Sequence, residues 1–376
     1  MVNGMDLLVN GGLVGIFLLV LVLPFRVKQV EHNLEVFLFA CGVVALTIAG
    51  FMIIPGEKTG WSMTIITEAL LSPLNITTIW GIPIGIVQIV LLVGLLIYFF
   101  YHRLQGAIVG LVGRIPLTVI VFLLIVILGL ISSIISAILA AIILVEIVNA
   151  LPVVKKAKVE IAVVACFSIG LGAGLTPLGE PLTTIVVSKL SGAPYNAGFT
   201  FLFDKLAIYI IPCVIALGFV GVFLFRRSQT GDKALECIIE RESLRDIVIR
   251  AGKVYIFIMA LIFLGEGFKP LILAYVISIP SAGLFWVNII SAVLDNATLA
   301  AAEISPALSL QQITSALMGL LIAGGMLIPG NIPNIIAAGK LEITSREWAE
   351  TAIPIGLVLM VVFFAILFVP GWLGFV

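Results

Sequence analysis

Charge is what this sequence has least of. Only 11% of its 376 residues are Asp, Glu, Lys or Arg, and the two signs balance at 20 each. A net charge of zero leaves no electrostatic footprint for nucleic acid, and none is expected as a partner. Histidine is scarcer still: His32 and His102 sit at helix ends among polar residues and read as interfacial. The four cysteines, Cys41, Cys166, Cys213 and Cys237, stand far apart and mostly within apolar stretches. They make no metal pattern and read as small buried hydrophobes. No nucleophile, metal cluster or phosphate loop is apparent, so an enzyme is not expected and no cofactor is implied. The first apolar run begins near Gly11 with no basic region before it and no clear cleavage site, which reads as a retained helix rather than a signal peptide.

What the chain has instead is long apolar sequence. Hydrophobic residues make up 62% and the mean hydropathy is +1.29, more than a soluble globular chain of this size needs. Windows such as 37–54, 82–101, 207–225 and 353–369 are long enough to cross the hydrocarbon core as helices. They are continuous rather than alternating, which favours helices over a barrel. The fold class expected is an all-α polytopic protein of the cell inner (cytoplasmic) membrane, surrounded by lipid.

The charges that do occur lie between the apolar runs and give a topology. Eight full crossings are expected near 10–25, 34–54, 80–101, 160–190, 204–226, 251–267, 308–341 and 349–370. Segments 115–152 and 270–306 are too long for one span and have polar centres, and each reads as a re-entrant hairpin. With the N- and C-termini outside, 16 of the 20 Lys and Arg fall on the cytoplasmic side, leaving Lys58, Lys189, Lys205 and Lys269 outside. The mixed-charge stretch 226–250 reads as a cytoplasmic linker with a helical part. The stretch 61–79, which holds Glu68, reads as an outside amphipathic helix. The expected organisation is N-terminal scaffold helices at 1–79, a first repeat at 80–226, the linker at 227–250 and a second repeat at 251–376.

Three matches make the halves repeats. "ISSIISAILAA" at 131–141 aligns with "ISAVLDNATLAA" at 290–301, setting Ser132 on Ser291 and Ser136 on Asp295 at an offset of 159. "GLGAGLTPLGEPLTTIVVSKL" at 170–190 aligns with "LIAGGMLIPGNIPNIIAAGKL" at 321–341, setting Gly174 on Gly325, Gly179 on Gly330, Glu180 on Asn331 and Thr183 on Asn334 at an offset of 151. "LAIYIIP" at 206–212 aligns with "WAETAIP" at 348–354. In the topology above each repeat crosses three times, so the two must be inverted, an arrangement that transporters use around midplane binding sites. The bland alternative is that these Gly, Pro and Ser positions serve helix packing.

The prolines and glycines explain themselves as helix breaks. Pro177 and Pro181 remove backbone donors and Gly179 tolerates open angles, so the helix unwinds there; Pro329, Gly330 and Pro333 do the same in the second half. Open backbone inside a bilayer is tolerable only where protein or a wet cavity surrounds it. Two sites are therefore expected. One sets the tip at Ser132, Ser133 and Ser136 against the break at 176–184, with Thr176, Gly179 and Glu180; the other sets the tip at Asp295, Asn296 and Thr298 against the break at 329–334, with Gly330, Asn331 and Asn334. All these ligands are hard oxygens, which suits sodium. No Lys or Arg is expected at mid-depth, where an anionic substrate would want one. A carboxylate at mid-depth costs about 3 kcal/mol on insertion scales, so Glu180 and Asp295 call for a function. Proton and cation competing for one carboxylate would be a minimal antiport mechanism, with Asp295 the first candidate and Glu180 the second. The bland roles are an N-cap for Glu180 and a tip hydrogen bond for Asp295. Glu146 and Glu303 match one another at the outer ends of the second hairpin arms and read as bundle-stabilising residues.

"LTPLGEP" at 175–181, "SAVLDNA" at 291–297 and "IPGNIPN" at 328–334 resemble motifs of the ion transporter superfamily. The nearest are its D-type sodium/proton antiporters, which carry similar TPLGD-P, LDN and GN-PN signatures. As a whole the chain looks like a prokaryotic family of predicted cation transporters in that superfamily, over roughly 80–370. The resemblance implies a homodimer, a scaffold subdomain, and an elevator-like transport subdomain built of the hairpins and broken helices. It carries ion-site roles to Ser132 and Ser136, Gly179 and Glu180, Asp295, Asn296 and Thr298, and Gly330, Asn331 and Asn334. Sodium would be the transported or coupling ion, held by Asp295, Asn296 and Glu180. The first tip lacks the asparagine of the Ser-Asn-Thr signature of sodium/dicarboxylate members, and glutamate stands where the antiporters have aspartate. The functional expectation is a sodium/proton or other monovalent cation/proton antiporter; the alternative is a sodium-coupled symporter of a small solute or anion.

Overall fold

The computed structural model describes residues 4–52, 59–74, 77–79, 82–84, 115–229, 243–271, 279–294, 296–304, 306 and 308–372, with separate pairs between 87 and 99. Asp295, Cys237, His102, most of the span expected at 80–101 and the linker at 230–242 lie outside the described residues, as do the side chains of His32 and Thr298.

The chain is helical nearly throughout. In order, the helices are α1 Gly4–Arg26, α2 Lys28–His32, α3 Leu34–Ala49, α4 Met63–Leu71, α5 Leu117–Ile135, α6 Ala137–Ala150, α7 Lys155–Ala173, α8 Pro181–Lys189, α9 Phe201–Gln229, α10 Leu244–Leu271, α11 Ser281–Val287, α12 Asn296–Glu303, α13 Leu310–Ala323, α14 Ile332–Lys340 and α15 Ser345–Trp372. A departure from the all-α expectation is a short antiparallel ribbon, β1 Thr77–Ile79 against β2 Ile82–Ile84, with Thr77 opposite Ile84. Its Thr and Ile residues are β-branched, and the ribbon is too short for Pro83 to interrupt a ladder.

Among the described residues, four helices are long and apolar enough to cross a membrane: Leu117–Ile135, Phe201–Ser228, Ile247–Leu271 and Ser345–Val369. Shorter apolar helices accompany them at Leu8–Pro24, Leu34–Ala49, Ala137–Ala150, Ser281–Ala292 and Leu310–Ala323. This composition is consistent with a membrane protein. The long helices keep apolar side chains on their outer faces: Ile208, Phe219 and Phe223 on α9, and Val358, Val361 and Ile366 on α15, are exposed.

α7 is the opposite case. Every residue from Val159 to Ala173 is buried, as befits a helix apolar on all sides. Its small residues let α5, α6, α9, α13, α14 and α15 all pack against it. The N-terminal helices gather on α10 instead. α3 runs along it at close range because Gly42 faces Phe263, where an added Cβ would sit 2.9 Å from Cβ of Phe263, and Gly267 faces Ala45. Lys253 on α10 pairs with Glu35 on α3 at 3.2 Å. α4, capped by Ser62 accepting from Ile65 N, also packs on α10, and Glu68 on it is exposed.

Candidate functional site: two tips and two breaks

The first tip is a single residue. α5 ends at Ile135, α6 begins at Ala137, and Ser136 between them has φ 80° and ψ 151°. That region is open to glycine and costs other residues about 1–3 kcal/mol. The surroundings hold it: Ala137 N donates to Gly179 O at 2.8 Å, Thr176 Oγ1 donates to Ser133 O, and Ser136 Oγ accepts from Leu139 N at 3.4 Å. The tip is thus tied through main-chain atoms to the break at 174–180.

That break begins where α7 stops at Ala173 and closes with short turns, Leu175 N to Gly172 O at 3.1 Å and Gly179 N to Thr176 O at 3.1 Å. Gly179 is required by space, since an added Cβ would fall on the carbonyl of Ala173. Glu180 occupies the cap position of α8 in extended backbone (φ −158°, ψ 163°) and is 7% exposed, yet its side chain makes no capping bond. Its carbonyl accepts from Thr183 Oγ1 at 2.7 Å. The bland role foreseen for Glu180 is therefore not the one it takes.

The second break repeats this backbone. Gly324 after α13 has φ −57° and ψ −24°, against −63° and −12° at Gly174. Asn331 before α14 has φ −154° and ψ 147°, close to Glu180. α8 and α14 both have 9 residues. Ser132 Oγ donates to Ile169 O at 3.0 Å, sharing its hydrogen with Gly129 O at 2.6 Å; Ser291 Oγ donates to Leu320 O at 3.2 Å. These two contacts are related by the offsets of 159 and 151 read from the sequence. The first break spans seven residues between α7 and α8 and the second eight between α13 and α14. Gly330 is again forced, as its Cβ would lie 2.7 Å from Ser291 O.

The side chains differ. Asn334, fully buried, donates from Nδ2 to Gly324 O at 2.7 Å and Leu327 O at 2.9 Å, and so ties both ends of its break together. Its Oδ1 and the Nδ2 of Asn296 are buried without a hydrogen-bond partner among the described residues. Trp348, also fully buried, donates from Nε1 to Gly325 O at 3.2 Å and tethers α15 to the break.

The two halves cross. α8 packs on α12, and α14 packs on α6. Asn331 lies against Gly170 of α7, Leu321 against Gly174, and Cys166 Sγ is 3.6 Å from Pro333 O. At the outer ends, Lys340 pairs with Glu146 at 3.4 Å, both largely buried, while Lys189 Nζ donates to Ile304 O at 3.3 Å. The candidates thus fall into two groups: Ser136, Thr176 and Gly179, with Glu180 next in chain, and Ser291, Gly330 and Asn334, with Asn331 next in chain. Ser132 and Asn296 flank the tips; Asp295 and the side chain of Thr298 lie outside the described residues. Sequence reasoning missed Ser168, whose Oγ donates to Ile125 O at 2.9 Å, and the carboxamide of Asn288. It also took Lys189 and Lys340 for membrane-flanking charges. Both precede a leucine, Leu190 and Leu341, at the ends of the two aligned stretches 170–190 and 321–341, and that shared place was the signal that could have found them.

Among the described residues no three His, Cys, Asp or Glu side chains gather as a metal cluster would require. The geometry is that of a helical protein consistent with a membrane setting, with two interrupted helical segments at 174–180 and 324–331. The family profile described as "Protein of unknown function (DUF1646)" matches residues 10–370, and the chain belongs to that family. No curated protein matches it.

Proposed function

We propose that the protein is a secondary active transporter of a monovalent cation, working as a sodium/proton antiporter by elevator-type alternating access, and not an enzyme. The observation that carries this reading is the repeated break. Two helices are interrupted with similar backbone angles at the start and end of each break, and carry Glu180 and Asn331 at corresponding cap positions. Such breaks are costly in a bilayer and serve ion sites where they occur. In this reading 80–226 and 251–376 are inverted repeats, 1–79 is scaffold, the protein sits multi-pass in the cytoplasmic membrane with both termini outside, and it works as a homodimer. Glu180 and Asp295 exchange proton for sodium, with Ser132, Ser136, Thr176, Gly179, Asn296, Thr298, Gly330, Asn331 and Asn334 supplying oxygens or shaping the backbone. Sodium is the cargo.

A second reading, sodium-coupled uptake of a small solute or anion, is favoured by the neutral cap of α14: Asn331 leaves that helix N-terminus open to an anion, whereas Glu180 closes the other to one. Proteoliposomes carrying a pH dye decide between them. Addition of NaCl across an imposed pH gradient is expected to move protons in wild type and not in Asp295→Asn, with Glu180→Gln reduced. Folded wild-type protein that gives no proton movement with NaCl, LiCl or KCl would sink antiport.

A further inference from the structure

The turns after α8 and α14 stand in matching places, and the structure fastens them differently. Each follows a short helix that ends in lysine, Lys189 or Lys340. After α8, Lys189 Nζ donates to Ile304 O at 3.3 Å and the Tyr195 hydroxyl donates to Leu308 O, so two bonds to main-chain carbonyls hold this turn on the stretch between α12 and α13. After α14, two ion pairs bracket the turn. Lys340 before it pairs with Glu146 of α6 at 3.4 Å, and Glu347 beyond it pairs with Lys155 of α7 at 2.8 Å.

The turn after α14 is strained. Glu342 has φ 51°, a left-handed backbone that suits Gly or Asn and not Glu. The turn after α8 puts an asparagine, Asn196, at φ 46° instead. The Glu347 carboxylate is held in aim: its Oε2 accepts from Thr344 N and Thr344 Oγ1, both at 2.9 Å, and its Oε1 is left to Lys155. Lys155 is the first residue of α7, where the helix dipole disfavours a cation, and Glu347 offsets that. Salt reaches the two pairs unequally. Lys340 and Glu146 are largely buried, whereas Lys155 is exposed and Glu347 partly so, and an exposed pair is weak and readily screened. Arg346, the nearest cation in sequence to Glu347, pairs with Glu350 at 2.8 Å.

We infer that residues 341–347 form an ionic latch, in which the Lys155–Glu347 pair holds a strained turn down on α7 and salt releases it. When the pair is screened, Glu342 relaxes and the turn lifts, while Lys340 keeps the end of α14 on α6. The turn joins α14, which starts at the second break, to α15, whose Trp348 holds Gly325 O. Release therefore loosens the second break from its C-terminal side, and ionic strength sets how firmly that break is held. The latch does not rest on the antiport reading.

Hydrogen exchange of the full chain in nanodiscs of zwitterionic lipid tests this. NaCl, KCl or choline chloride is raised from about 0.1 M to about 1 M, over which the screening length falls from about 10 Å to about 3 Å. The amides of Ile343 and Thr344, bonded to Ala338 O and Glu347 Oε2, are expected to exchange about threefold faster in all three salts. Those of Asn196 and Ala197, bonded to Gly192 O and Leu190 O, should not change. Lys155→Met should give the fast exchange already at low salt and remove the salt response, and Glu342→Gly, which relieves the turn, should slow exchange about threefold. Equal change at the two turns, no change at either, an unaltered salt response in Lys155→Met or faster exchange in Glu342→Gly overturns the latch. So does a response to NaCl alone, which would mean sodium binding rather than screening. No readout uses transport, so antiport can fail with the latch intact, and the reverse.

Discussion

The two breaks share a backbone and differ in how far they are enclosed. From Ser315 through Asn331 every residue of the second is buried. In the first, Thr176 and Pro177 are half-exposed and Leu178 is 57% exposed. The enclosed break is tied by a carboxamide, Asn334, reaching two carbonyls. The open one is tied by hydroxyls, Thr176 to Ser133 O, Thr184 to Pro177 O at 2.6 Å and Thr183 to Glu180 O. A buried loop must satisfy its own polar groups, whereas an exposed one can leave some to solvent. The same bend is therefore built with stronger internal ties where nothing else can supply them.

The largest effect should come from the feature the breaks share. Gly179→Ala and Gly330→Ala each drive a methyl into a backbone carbonyl, and each should lower stability by about 3 kcal/mol or more, read by thermal unfolding in detergent. Tolerance at one site and not the other would end the equivalence of the two. Next comes the pair of outer lysines. Lys340→Met leaves Glu146 charged and largely buried and should cost about 3 kcal/mol, while Lys189→Met, losing the bond to Ile304 O, should cost about 1 kcal/mol. Equal losses would mean that the two ends are held alike. The smallest contrast lies inside the breaks: Asn334→Ala should cost about 2 kcal/mol by freeing two buried carbonyls, and Thr183→Ala about 1 kcal/mol by freeing one. Hydrogen exchange at Leu327 and Glu180 would show whether each loss is local.

The placing of both helix breaks was legible because Pro and Gly act locally: Pro177 and Pro329 lie in the breaks, though both begin earlier and end sooner than expected, with Pro181 and Pro333 already in the first turns of α8 and α14. The long apolar helices were legible for a similar reason: their runs need no partner to be recognised. What sequence could not give was anything decided across the halves. Nothing in the runs around Lys189 or Lys340 says that the one reaches Ile304, just past α12, and the other Glu146 of α6. Glu146 and Glu303 look alike in sequence; one meets a lysine and the other an asparagine, which is a fact of packing. The ribbon of β1 and β2 was missed because 77–79 read as the end of an amphipathic helix and 82–84 as the start of a span.

The crossing of α8 onto α12 and α14 onto α6 has a consequence for biosynthesis. When the ribosome has finished α8, its packing surface does not yet exist, because α12 begins more than a hundred residues later. Contacts so distant along the chain form late and slowly. Until the later segments are made, α8 lacks α12 and α6 lacks α14, so the core they share is completed only near the end of synthesis.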